Sequence, residues 1–120
     1  MTNSPTRTPD GYKRADSLVQ YLQVDDGDSP VDLSDERSTV IVQADSSSGQ
    51  VDITMPSARR FNGTFTVQHP SAANNVVLSA QAGEKFNNNL ATATLNAVGN
   101  TTYAPVQNAD DSFGWAVVAG

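Results

Sequence analysis

Val51-Asp52-Ile53-Thr54-Met55-Pro56, followed shortly by Asn62-Gly63-Thr64-Phe65-Thr66-Val67, decides how this chain is read. In both stretches apolar residues recur at every second position. Successive side chains of a strand point to opposite faces, so this alternation marks strands with one buried and one wet face. Pro56 cannot donate to a ladder and ends the first strand. Asn62-Gly63 is a strong turn signal ahead of the second.

The same pattern extends in both directions. Upstream, Val40-Ile41-Val42 forms a β-branched run, and Ser46-Ser47-Ser48-Gly49 reads as the turn that follows it. Downstream, Val76-Val77-Leu78, Thr92 to Leu95 and Thr101 to Val106 read as strands, separated by polar turns at 71–75, 87–89 and 108–112. The last strand places Phe113, Trp115, Val117 and Ala119 on one face. Strands at intervals of about 8–12 residues suit an all-β fold, a small antiparallel β-sandwich or barrel. Its expected core is Val42, Ile53, Phe65, Val67, Leu78, Leu95, Trp115 and Val117.

The first third differs. Residues 1–12 hold two prolines, a glycine and small polar residues, the composition of an extended arm. Residues 16–24 fit a short amphipathic helix through Leu18, Tyr21 and Leu22, or a strand, and shortness favours the strand. Residues 25–38 form an acidic, proline-containing loop. Two regions are therefore expected, 1–37 as arm and acidic loop and 38–120 as the β domain.

The 120 residues carry a net charge of −6, which opposes binding to nucleic acid through phosphates. No apolar stretch reaches the roughly 20 residues that span a bilayer, so no membrane partner is expected. The start of the chain has no hydrophobic run of a signal peptide, so synthesis and retention in a cytoplasm are expected. Cysteine is absent and His69 is the one histidine, which leaves no zinc-type ligand set.

The order of these elements resembles a small β module of tailed-phage structural proteins, found in head-decoration, head-fibre and tail-fibre chains. The residues that carry the resemblance are Thr39-Val40-Ile41-Val42, Val51 to Ala58, Asn62 to Val67, and Asn75-Val76-Val77-Leu78. They continue as Gly83-Glu84-Lys85-Phe86, Ala93-Thr94-Leu95 and Gly114-Trp115-Ala116-Val117-Val118, so that the likeness spans about residues 38–120. A free-standing module with a short arm and no fibre shaft looks like a capsid decoration (cement) protein. The resemblance implies a homotrimer on the outer capsid surface of the virion, with the major capsid protein as partner. It implies no enzyme activity, cofactor, metal or small-molecule substrate. Basic Arg7, Lys13 and Arg14 are the expected capsid contacts, and Tyr21, Leu22 and Tyr103 the expected subunit contacts. The alternative is a receptor- or glycan-binding tip module of a phage head or tail fibre, binding through loops 71–75, 87–91 and 108–112.

Several residues invite sharper readings. Phe113 and Trp115 could stack on a sugar, but their alternation with Val117 favours the core. His69 precedes Pro70 and is expected in a turn or at the surface. An EF-hand starting at Asp26 fails, because Pro30 occupies a ligand position, Val31 the glycine position and Arg37 the bidentate glutamate position. The acidic cluster is therefore expected to be solvated, or to face basic residues of a partner. Arg59-Arg60 reads as a loop pair that could serve a subunit contact. Asp45, Asp52, Asp110 and Asp111 could be imagined as paired carboxylates for glycoside hydrolysis, but nothing in the sequence places them in one cleft.

Overall fold

The structure is a computed structural model that describes residues 19–87 and 89–120. Arg7, Lys13, Arg14 and the start of the segment 16–24 lie outside the described residues. Within them the chain is all-β. The strands are β1 (Gln20–Asp25), β2 (Val31–Asp32), β3 (Ser38–Asp45), β4 (Val51–Thr54) and β5 (Asn62–His69). They continue as β6 (Val76–Ser79), β7 (Lys85–Phe86), β8 (Thr92–Leu95), β9 (Gly99–Gln107) and β10 (Phe113–Ala119).

Two sheets enclose one core. The larger has the order β1-β3-β5-β9-β10-β7 and the smaller β2-β4-β6-β8. The first six strands thus alternate between the sheets. Each connection turns a corner from one sheet to the other, and strands two apart in sequence pair in parallel. The partners Val40↔Phe65 and Ile53↔Leu78 are both 25 residues apart. Only β5–β9, β9–β10 and β6–β8 pair antiparallel. The sheets are therefore mixed rather than antiparallel, and neither closes into a barrel. The reason is physical: alternation specifies which residues face inward and is blind to strand direction.

The parallel stacking explains the burial. Val40, Val42 and Ala44 of β3 lie inward, beside Phe65 and Val67 of β5. Opposite them Val51 and Ile53 of β4 stack on Val76 and Leu78 of β6. Phe61, Phe65 and Trp115 form an aromatic cluster, with Trp115 edge-on to Phe61 at a centroid distance of 5.1 Å. The expected core residues Val42, Ile53, Phe65, Val67, Leu78 and Trp115 are all buried.

Other expectations are corrected. Val117 is 43% exposed, because β10 runs past the core and slips register between Val117 and Ala119. Leu95 is only partly buried, since β8 is the edge of the smaller sheet. Asn62-Gly63 is not a hairpin turn but the start of β5, where the register slips between Ser38 and Val40. Gly63 there has φ +132°, and a Cβ on it would meet Thr39. The boundary at 37/38 does not separate structural units, because β1 and β2 pair with β3 and β4 and Leu33 is in the core.

Tyr103, expected at a subunit contact, is 2% exposed and packs edge-on to Phe86 at 5.6 Å. Its neighbour in β5 is Phe65, so the inward register of the sheet carries it into the core. Burial pushes its hydroxyl above the ordinary value of 10.0. Above pH 10 the unfolded chain therefore releases a proton that the folded chain retains, and stability falls as pH rises. Tyr103→Phe is expected to flatten this fall. Thermal melts of both proteins from pH 8 to 11 measure it.

Candidate functional site

The direction of the strands sorts the charged side chains. β3, β5, β7 and β10 all begin at one end of the larger sheet, and the segments that lead into them meet there. Arg37 precedes β3, Arg59 and Arg60 precede β5, Glu84 precedes β7, and Phe113 opens β10. Together with Ser34, Asp35, Ser57 and the 81–83 turn they line a groove of about 520 Å³.

Local chemistry holds this groove in shape. Glu84 is 8% exposed, and its two oxygens accept from Ser57 Oγ at 2.7 Å and the Ala58 amide at 2.8 Å. The carboxylate thus fixes the loop that carries Arg59 and Arg60. The Arg59 guanidinium lies 4.6 Å from the centre of the Phe113 ring, a cation–π contact. Arg37 donates from one Nη to the carbonyls of Ser34 and Glu36, which anchors it on the rim.

The opposite end of the sheet is acidic. β1 and β3 end side by side with Asp25 and Asp45 in register. Asp25, Asp28, Asp45, Gln23 and Gln43 line a shallow hollow of about 230 Å³. Asp25 and Asp28 cap each other's backbone around a 3-10 turn, and Asp45 accepts from the Ser47 amide. That bond and the Ser47 hydroxyl hold the Asp45 carboxyl below the usual range. Among the described residues no group of His, Cys, Asp or Glu has the arrangement of a metal site.

His69 corrects a further expectation. It ends β5 with 2% exposure, neither in a turn nor on the surface. Its Nε2 lies 2.9 Å from Ser46 Oγ, which in turn reaches the carbonyls of Asn74 at 2.7 Å and Ser71 at 3.1 Å. Asn74 Nδ2 donates back to the Ser46 carbonyl. This closed set of bonds ties the 46–49 corner to the 71–75 corner. His69 Nδ1 finds no protein partner. Sequence gave no hint of it, since Ser46 and His69 lie 23 residues apart on different strands and corners.

The described parts of the loops 87–91 and 108–112 lie side by side. Phe86, Asn87, Asn89, Asn108, Ala109 and Asp110 line a hollow of about 250 Å³. Asp110 pairs with Lys85 at 3.1 Å. Bonds from the Ser112 hydroxyl and amide, with Lys85, push its carboxyl down to about 2. It is held ionised, which does not suit a general acid near neutral pH. The expected interface residues Tyr21 and Leu22 sit on β1, which has one neighbour among the described strands. Tyr21 is 52% exposed and reaches Gln68 at 3.4 Å, while Leu22 packs against the core. No helix among the described residues is long and apolar enough to cross a membrane.

No protein-family model, curated protein or solved structure matches this chain.

Proposed function

We propose that this chain is a structural virion protein, a capsid decoration protein that binds the outer surface of an expanded phage head as a trimer and stabilises it. The order of motifs over residues 38–120 supports the family, and the edge strand β1 supports a role in joining. Among the described residues its outer ladder has no partner, and Tyr21 on it and Val19 just before it are each 52% exposed. Such an edge takes up an extended partner segment by main-chain bonds, with side chains adding specificity. In this reading the two sheets serve as a compact β-sandwich. Residues 1–37 attach it, with Arg7, Lys13 and Arg14 on the major capsid protein and Tyr21 and Leu22 between subunits. A ligand that binds only the joined capsomers stabilises the shell by mass action. Neither catalysis nor a cofactor is part of this role.

The test uses expanded capsids stripped of the protein, mixed with the full chain and with a chain lacking residues 1–14. Saturable binding in multiples of three, reduced at least about tenfold by the truncation, is expected for an anchoring arm. Retained binding would move the anchor to residue 15 onward, and no binding would sink the decoration role.

A second reading draws on the hollow between loops 87–91 and 108–112, whose amide side chains suit sugar hydroxyls. It makes the chain a glycan-binding fibre tip. Loop 71–75 does not join that site, because it is tied to Ser46 and His69. A virion copy number in the hundreds favours the shell, and a few dozen favours the fibre.

A further inference from the structure

The groove lined by Arg37, Arg59 and Arg60 is out of keeping with its protein. The chain is acidic, yet three of the four Lys and Arg side chains among the described residues line this one groove. The fourth, Lys85, is paired with Asp110. None of the three arginines has a carboxylate within ion-pair distance among the described residues. Glu84 lies in the wall with both oxygens occupied by Ser57 and Ala58, and Asp35 stands on the exposed rim. Guanidinium groups are planar forks that take carboxylates in pairs of bonds.

The complementary surface is on the same chain. Asp25, Asp26, Asp28 and Asp45 are exposed where β1 and β3 end, and among the described residues no Lys or Arg lines their hollow. Asp25 and Asp45 are direct register neighbours, a like-charge pairing that destabilises a sheet unless something compensates it. β3 runs from Ser38, next to Arg37, to Asp45. At the rise of a strand its eight residues put the two surfaces about 23 Å apart, at opposite ends of one sheet. They cannot satisfy each other within one molecule.

We infer that copies of this chain associate head to tail, the acidic end of one entering the Arg37/Arg59/Arg60 groove of the next. The inference rests on the self-association proposed above and not on where the assembly docks. A head-to-tail contact is heterologous, and it closes into a ring if the rotation per step allows, as a trimer requires.

Sedimentation velocity of the full chain tests this, with capsid binding measured separately. In low salt the wild type is expected to associate, and the dissociation constant to rise about tenfold or more in 0.5 M salt. Arg59→Glu with Arg60→Glu should leave a folded monomer, and so should Asp26→Lys with Asp45→Lys. All four are exposed, and far-UV circular dichroism confirms folding. The chain that carries all four changes should associate again, because its ends are complementary with the signs exchanged. A wild type that stays monomeric at high concentration overturns the inference. So does association that survives either pair of changes, or a four-fold variant that remains monomeric. None of these results bears on capsid binding by the monomer, which is read on its own.

Discussion

Trp115→Ala is expected to cost about 3–5 kcal/mol of stability, the range for truncating a large buried aromatic. The side chain is fully buried and meets Phe61 at 5.1 Å and Phe65 at 6.0 Å, so its loss opens a cavity beside both rings. The surroundings cannot collapse into it readily. Phe65 is fixed in register between Val40 and Tyr103, and Phe61 is held by the bond from Asn62 to the Arg37 carbonyl. Domains of this size have about 5–15 kcal/mol in total. The melting temperature should fall by about 15–25 °C, measured by calorimetry. Trp115→Phe separates packing from polarity. The indole Nε1 is buried without a protein acceptor, so replacing it removes an unsatisfied donor while keeping most of the ring. Its cost should stay under about 2 kcal/mol. Equal losses in the two variants would mean that the indole itself, not the volume, holds the cluster.

The inward positions of this fold were legible in the sequence, and the pairing was not. Val51, Ile53, Phe65 and Val67 announce their burial by alternation, since every second side chain of a strand shares a face. Alternation carries no sign of direction, and parallel rungs read like hairpins. The connections misled for the same reason. Ser46 to Gly49 is a bend that carries the chain across to the other sheet rather than back along the same one. Tyr103 shows a second limit. Its neighbours Thr102 and Ala104 give no alternating apolar pattern, so only its pairing with Phe65 assigns it to the core. Val117 errs in the opposite sense, because a period of two says nothing about where the core ends along a long strand.

The charged surfaces illustrate the same division. Arg59-Arg60 and the aspartates from 25 to 45 are conspicuous in the sequence, but their separation to opposite ends follows only from parallel β1, β3 and β5. An antiparallel hairpin of β1 with β3 would have reversed one strand and placed Asp25 beside Ser38, close to Arg37. Parallel pairing therefore determines whether the acids and arginines could neutralise one another within a molecule. The polarity of the sheet follows from the winding of the backbone, and self-association through it would follow in turn.

Gly114→Ala should cost about 3 kcal/mol or more, although it adds a single methyl group, because the obstruction is backbone rather than a movable side chain. Gly114 opposes Lys85 in the parallel pair of β10 with β7, and a Cβ on it would run into the Lys85 carbonyl oxygen. It would also press on Asn108 Nδ2, which holds the Ser112 hydroxyl in the adjoining turn. The carbonyl can retreat only if β7 moves off the sheet. β7 is two residues long and is the edge strand, so this is the response that costs least. Its departure would carry Phe86 away from Tyr103 and Lys85 away from Asp110. Hydrogen exchange should accordingly rise at Phe86 and in the 108–112 turn before it rises in β3 or β5. Gly83, with φ +82° but nothing within 4 Å, supplies the contrast. Gly83→Ala bears only the backbone cost of its positive φ, about 1 kcal/mol. If Gly114→Ala melted no lower than Gly83→Ala, the close approach of β10 to β7 would not constrain this fold.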